Sequence, residues 1–109
     1  MQMLGTVLDK GTKVVAISFF DEANVAMIPT GVIWSLYDED GVIVNSRSNV
    51  PATPATVVNI VLSGLDVVYV APTSQRVLVV EATYTGTYGI GLPLKDYFKF
   101  TVLPVATTA

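Results

Sequence analysis

Three consecutive carboxylates, Asp38, Glu39 and Asp40, form the densest group of potentially reactive side chains in the sequence, and Gly41 follows them. Carboxylate oxygens are the ligands that hard cations such as Ca²⁺ and Mg²⁺ prefer, so a cation site is one interpretation of this segment. An EF-hand loop would also need a Glu about twelve positions from its start, and Asn49 stands there. Asp and Gly are equally the residues that tight turns use. We therefore predict a solvated hairpin turn here and no metal site.

Other groups that could support catalysis are scarce. The chain has no His and no Cys, which removes the most common general base and every thiolate. Adjacent carboxylates diverge along a strand or turn, whereas the paired carboxylates of glycosidases face each other across about 5–10 Å. Gly86, Gly89 and Gly91 are spaced closely enough for a phosphate-binding loop, but such a loop opens a helix, and β-type sequence follows them. We predict no enzymatic activity, no cofactor and a flexible loop over residues 85–93.

The composition limits the classes of partner. The chain has 109 residues, a net charge of −3 and only 14% charged residues, whereas soluble domains typically have about 25%. The Lys and Arg residues are scattered, and binding to a phosphate backbone needs them clustered, so we expect no nucleic-acid partner. No apolar run approaches the roughly 18 residues of a membrane span, and the first residues lack a signal-peptide pattern. We predict one domain over residues 1–105, a tail over 106–109 and no membrane contact. Either the chain is made and used in the cytoplasm, or an export signal has been removed from it.

Strand-like alternation of apolar and polar residues runs through the chain, and no useful helical period is present. Residues 30–45 are predicted to form two strands joined at Asp40-Gly41, with the single Trp of the chain on the buried side of the first strand. Further strands are predicted at 4–8, 13–21, 55–63, 76–85 and 96–103, with edge strands at 67–70 and just before Pro29, and with a loop over 46–54. The residues predicted to face the core are Val15, Ile17, Phe19, Val32, Trp34, Leu36, Val58, Ile60, Leu62, Leu78, Val80, Ala82, Phe98, Phe100 and Val102, and Tyr84 is predicted to cap the core with its hydroxyl at the rim.

Short strands with a reversal about every ten residues are typical of two-layer β proteins. A buried Trp on the third strand, without the Cys pair of antibody domains, fits an immunoglobulin-like or fibronectin-III-like core. We predict an all-β fold, an immunoglobulin-like antiparallel β-sandwich of about seven strands, and an open small barrel is the alternative.

Several apolar side chains are predicted to point away from this core. Ile33, Tyr37, Val77 and Val79 occupy outward positions of their strands, and Tyr88 lies at the centre of the predicted loop. Exposed apolar patches larger than a few hundred Å² tend to mark interaction sites, although β-branched residues also occur singly on strand surfaces without a role. Because charge is scarce as well, we interpret these five residues as partner-binding.

Two segments resemble a known class of protein. The segment from Pro29 to Gly41 has the pattern P-x-x-V-x-W-S-L-x-D-x-D-G, and a later strand ends V-E-A-T-Y-x-G. Over roughly residues 12–104 the chain resembles the small immunoglobulin-like proteins encoded among bacteriophage virion genes. The resemblance implies a structural protein of the virion, present in multiple copies and bound to the major capsid protein or to tail or collar proteins. It does not distinguish capsid decoration from a collar, tail or baseplate position.

Two other functions remain open from the sequence. One is a receptor- or glycan-binding adhesion module of immunoglobulin-like fold, which would use the aromatic residues Tyr88 and Tyr97. The other is a regulatory or chaperone-like domain with a single client protein.

Overall fold

The computed structural model describes residues 2–70, 74–86 and 88–103, and the side chains within these ranges from residue 5 onward. These residues form seven β-strands and one 3-10 helix. The strands are β1 (Gln2–Leu8), β2 (Thr12–Ser18), β3 (Gly31–Asp38), β4 (Val50–Ala52), β5 (Val57–Ser63), β6 (Ser74–Gly86) and β7 (Gly89–Leu103), and the 3-10 helix is Gly64–Val67. The all-β class predicted from the sequence is therefore confirmed.

The strands form two sheets. The larger sheet has the order β1-β7-β6-β3-β4 and the smaller sheet consists of β2 and β5. Paired strands are antiparallel, except that β1 runs parallel to β7 from the Gln2–Phe98 pair to the Leu8–Leu103 pair. The prediction of a purely antiparallel sandwich is wrong at this strand. Parallel neighbours need a long connection, and here the rest of the chain provides it, because the first strand pairs with the last.

The core lies between the two sheets and contains the side chains that the alternation predicted. Fifteen of the predicted core residues are buried, and Leu36, Leu62, Leu78, Phe100 and Val102 have no exposed surface. Tyr84, predicted to cap the core, is only partly buried. Trp34 lies in the same cluster. Alternation identified these residues because successive side chains of a strand point to opposite faces of a sheet, so one buried face fixes the parity of the whole strand.

The predicted hairpin over residues 30–45 is only partly present. Its first half is β3, but its second half is reduced to a single bridge between Tyr37 and Ile43. Asn45 and Ser46 both have positive φ, 52° and 57°, so the chain turns back on itself there. Val50–Ala52, which was predicted to lie in a loop, pairs instead with the opposite end of β3.

The segment predicted as an edge strand at 67–70 is not a strand. Gly64–Val67 forms the 3-10 helix, and the side chain of its last residue, Val67, is fully buried. The Ser63 N–H donates to the Asp66 carboxylate at 3.0 Å and closes the start of this turn. Before Pro29, the predicted edge strand is reduced to one bridge between Phe20 and Ala26.

The predicted flexible loop at 85–93 is also wrong. Strand β6 continues to Gly86 and β7 begins at Gly89, so these residues form the end of a β-hairpin. The hairpin extends beyond β3, whose last pair is Gly31 with Thr83. Gly91 has a φ of +68°, which a glycine adopts without strain, so the glycines shape this hairpin end and need not make it flexible. The predicted tail at 106–109 lies outside the described residues.

Candidate interaction surface

Four of the five predicted partner-binding residues meet on the outer face of the larger sheet. Tyr37 of β3 pairs with Val77 of β6, and the neighbouring outward position of β6 is Val79. Ile33 lies on the same face of β3, four residues before Tyr37. All four side chains are half-buried by their neighbours on the sheet. We call Ile33, Tyr37, Val77 and Val79 the outer patch.

Charged and aromatic residues surround the outer patch. On β7, Tyr97 pairs with Val79 and Lys99 pairs with Val77. One step further along, Lys95 Nζ lies 3.1 Å from Glu81 Oε1 in an exposed ion pair. An apolar centre with a charged rim is the usual arrangement of a protein–protein interface.

The fifth predicted residue, Tyr88, is not part of the outer patch. It lies at the end of the β6–β7 hairpin, where 79% of its surface is exposed. Ile90, which the sequence analysis did not single out, lies two residues further on and is 87% exposed. The structure therefore separates the predicted site into a sheet face and a hairpin tip.

The smaller sheet presents a second apolar surface. Val14, Val57 and Val61 are each about half exposed, at 56%, 47% and 52%, and Val14 pairs directly with Val61. The outward residues of β2 and β5 carry no charge at all; they are Thr12, Val14, Ala16, Ser18, Val57, Asn59, Val61 and Ser63. These valines are exposed, whereas the side chains of the outer patch are partly buried by their neighbours on the sheet.

A buried polar network that sequence reasoning missed is centred on Asp66, which has no exposed surface. Its Oδ1 accepts hydrogen bonds from Arg47 Nε at 2.8 Å and from Asn45 Nδ2 at 3.0 Å. Burial by itself would raise the pKa of Asp66, but the hydrogen bonds from Arg47, Asn45 and the Ser63 N–H outweigh it and hold this pKa below its usual value. The Arg47 guanidinium also lies over Trp34, 5.8 Å from the ring centre.

A buried cation, Arg76, completes this network. Arg76 of β6 is 6% exposed and donates from Nε to the Asp66 carbonyl oxygen at 3.2 Å and from a terminal nitrogen to the Val68 carbonyl oxygen at 2.8 Å. The network fixes the 3-10 helix to β6 and to the loop before β4. The sequence did contain a signal that these two charged residues are buried. Asp66 interrupts an apolar run, and Arg76 lies on the same face of its strand as the buried Leu78.

The carboxylates at 38–40 act as turn residues. Asp38 Oδ1 accepts the N–H groups of Asp40 at 2.8 Å and Val42 at 3.0 Å, and the Val42 bond is the chief reason that the pKa of Asp38 is lowered. Glu39 Oε2 accepts the Gln75 N–H at 2.7 Å. Among the described residues no three acidic side chains are arranged to hold a metal ion.

Two open grooves run along the sides of the molecule, where the smaller sheet is narrower than the larger one. One, of about 420 Å³, lies between β2 and β7 and is lined by Ile17, Phe19, Leu94 and Phe98 among others. The other, of about 530 Å³, lies between β5 and β4, with Trp34 in its wall. Both grooves therefore run beside strand edges of the smaller sheet.

No protein-family model, curated protein or solved structure matches this chain. Within the ranges that the structure describes, no helix has the length and apolar character needed to cross a membrane.

Proposed function

We propose that this chain is a non-enzymatic structural protein of a bacteriophage particle, which binds capsid or tail proteins in many copies. The observation that carries the proposal is the outer patch, in which Tyr37 and Val77 face each other across paired strands with Val79 beside them. Burying such a surface against a partner removes apolar area from water and supplies the free energy of attachment. The low charged fraction, 14%, agrees with a molecule that has much of its surface covered.

The arrangement of strands supports the finer part of the proposal, an immunoglobulin-like sandwich. In that fold, the second and fifth of seven strands share one sheet, and the third, sixth and seventh share the other. Here β2 pairs with β5, while β3, β6 and β7 are neighbours in the larger sheet. The buried Trp34 lies on β3, the position of the core Trp in immunoglobulin domains. The sequence resemblance to phage virion proteins of this type points the same way.

The test compares substitutions on the two sheets. Val77→Asp, Val79→Asp and Tyr37→Asp place a charge within the outer patch, and Val14→Asp places one on the smaller sheet as a matched control. Particles purified from the phage that encodes the chain are analysed by quantitative mass spectrometry. We expect the first three variants to be incorporated at least about tenfold less than wild type, because a buried unpaired charge is costly, and the control to be incorporated normally.

Two results would reject the proposal at different levels. Absence of the wild-type chain from purified particles would reject the virion function itself. Normal incorporation of all three outer-patch variants, with thermal unfolding confirming that each is folded, would reject the outer patch as the attachment surface.

The hairpin tip favours a second function, receptor or glycan binding. Tyr88 and Ile90 project beyond the sheets with most of their surfaces exposed, and aromatic residues are enriched in recognition sites. A glycan array distinguishes the two functions. Binding by wild type that is lost in Tyr88→Ala but kept in Val77→Asp would favour recognition at the tip.

A further inference from the structure

The strand edges of this molecule differ in how they are protected against pairing with other chains. Native edges are blunted by bulges, shortness, Pro or charged residues. Edge strand β1 has a register shift between Met3 and Thr6, β4 has three residues including Pro51, and β2 contains Lys13. The part of β7 that β1 does not cover contains Pro93, Lys95 and Asp96. Strand β5, with the sequence VVNIVLS, has none of these features.

The hydrogen-bond pattern shows which backbone groups of β5 are free. The Phe19 N–H donates to the Thr56 carbonyl, and the Gly64 N–H donates to the Gly11 carbonyl, at the two ends of the β2–β5 ladder. Hydrogen-bonded and non-hydrogen-bonded pairs alternate along an antiparallel ladder. The even-numbered residues of β5 therefore bond to β2, and the N–H and C=O groups of Val57, Asn59 and Val61 point away from it.

Nothing in the described part of the chain pairs with this outer edge. Strand β5 has β2 as its one neighbour in the smaller sheet. On its other side runs the groove of about 530 Å³, with Val50 and Ala52 of β4 on the far wall. The outward backbone groups of β5 therefore face an open groove and no neighbouring strand of the described chain.

We propose that the occupant is β5 of a second copy, paired antiparallel across a twofold axis at Asn59. In this register Asn59 faces Asn59 of the second copy, and Val57 faces Val61 in both directions. These three facing pairs use the outward N–H and C=O groups of Val57, Asn59 and Val61 in both copies. Each pair forms two hydrogen bonds, which gives about six in total. The two small sheets become one four-stranded sheet, β2-β5-β5-β2.

The edge is suited to a second copy because it is complementary to itself. The twofold arrangement sets amide against amide and valine against valine, so no like charges face each other across the axis. Each copy carries a net charge of −3, but no acidic residue lies in β2 or β5, so the charges do not oppose contact at this edge. Strand pairing buries less than the roughly 800 Å² per partner of a stable interface, so we expect a dissociable dimer with an affinity on the order of micromolar.

Sedimentation velocity over a range of concentrations tests the pairing with a matched pair of variants. Asn59→Asp sets two carboxylates directly opposite each other at the axis, which is unfavourable. Ser18→Asp puts the same charge on the same exposed face, but on β2. We expect the wild type and Ser18→Asp to dimerise alike, and Asn59→Asp to have a dissociation constant about tenfold higher.

A mixing experiment then tests the position of the axis. Asn59→Asp and Asn59→Lys should each associate weakly, and an equimolar mixture should form heterodimers, because opposite charges then face each other. A wild-type chain that remains at 11.6 kDa at millimolar concentration would overturn the proposal, as would equal loss in Ser18→Asp or no rescue in the mixture. This inference does not depend on the virion function, which is tested on the other sheet.

Discussion

At the scale of single residues, Asp66 contributes most to joining separate parts of the chain. It is fully buried, and its carboxylate receives hydrogen bonds from Arg47, Asn45 and the Ser63 N–H. A buried carboxylate is stable only when such partners replace its lost hydration. The network therefore anchors the 3-10 helix and the loop before β4.

Because of the Asp66 network, the protein should lose stability as the pH falls into the acid range. The pKa of Asp66 is lowered in the folded protein, so its contribution is present above the unfolded value of about 3.9 and is lost as the pH falls below it. Asp66→Ala should lower the free energy of unfolding by about 3 kcal/mol, the lower end for a broken buried pair, because Arg47 is partly exposed.

Urea unfolding between pH 7 and pH 2.5 measures this effect. Asp66→Asn should show a shallower loss of stability with acid than wild type does. Arg47→Met and the double variant Asp66→Asn/Arg47→Met serve as controls. The losses of stability in the two single variants should not add in the double variant if the residues form one network. An unchanged pH profile in Asp66→Asn, or full additivity, would contradict the role assigned to the carboxylate.

At the scale of elements, the distinguishing feature is the β6–β7 hairpin, which extends beyond the rest of the larger sheet. Its two strands continue past the end of β3, and Glu22, in the segment after β2, contacts its base. Tyr84 donates its hydroxyl to the Glu22 carboxylate, and this bond raises the pKa of Tyr84. A Cβ on Gly86 would approach the same carboxylate to 2.6 Å. Gly86 thus leaves room for the contact that holds the hairpin base.

Gly86→Ala should displace Glu22 and loosen the hairpin base. We expect a fall in melting temperature of less than about 4 °C and a return of the Tyr84 pKa toward about 10, followed by ultraviolet absorbance of the phenolate. In a Glu22→Ala background the same glycine substitution should have a smaller effect. Equal effects of Gly86→Ala in both backgrounds would show that Glu22 is not the group displaced.

At the scale of the whole molecule, β1 and β7 lie side by side although nearly the whole described chain separates them in sequence. The described structure is elongated, 56 × 22 × 21 Å, and β1 is added to the larger sheet by its pairing with β7. One sheet has five strands and the other two, which leaves strand edges and lateral grooves along both sides. Those edges and the apolar outer faces are the surfaces on which both proposals rest.

This topology predicts slow folding. Pairing between distant segments must overcome the entropy of closing long loops before any contact stabilises it, and β proteins of this kind fold in milliseconds to seconds. Stopped-flow dilution from urea, followed by Trp34 fluorescence, measures the rate at low protein concentration. Refolding within microseconds would contradict the pairing of β1 with β7.

The local pattern of the sequence determined the strands and the core. Alternation along 13–21, 30–37, 55–63, 76–85 and 96–103 was sufficient to identify the buried side chains, because the parity of a strand is a local property. The same parity placed Val77, Val79, Ile33 and Tyr37 outward, and the structure brought them together on one sheet. Whether this surface binds a virion protein stays a prediction.

Tertiary structure alone decided which strands are neighbours and where the polar network forms. The glycines at 86–91 predicted a flexible loop, and pairing of β6 with β7 formed a hairpin instead, because glycine accepts the backbone angles of both. Asp66, Arg47 and Arg76 are distant enough along the chain that no local pattern links them. Strand partners and buried ion pairs depend on contacts between distant segments, whereas the alternation that reveals a strand is the same whichever partner it finds.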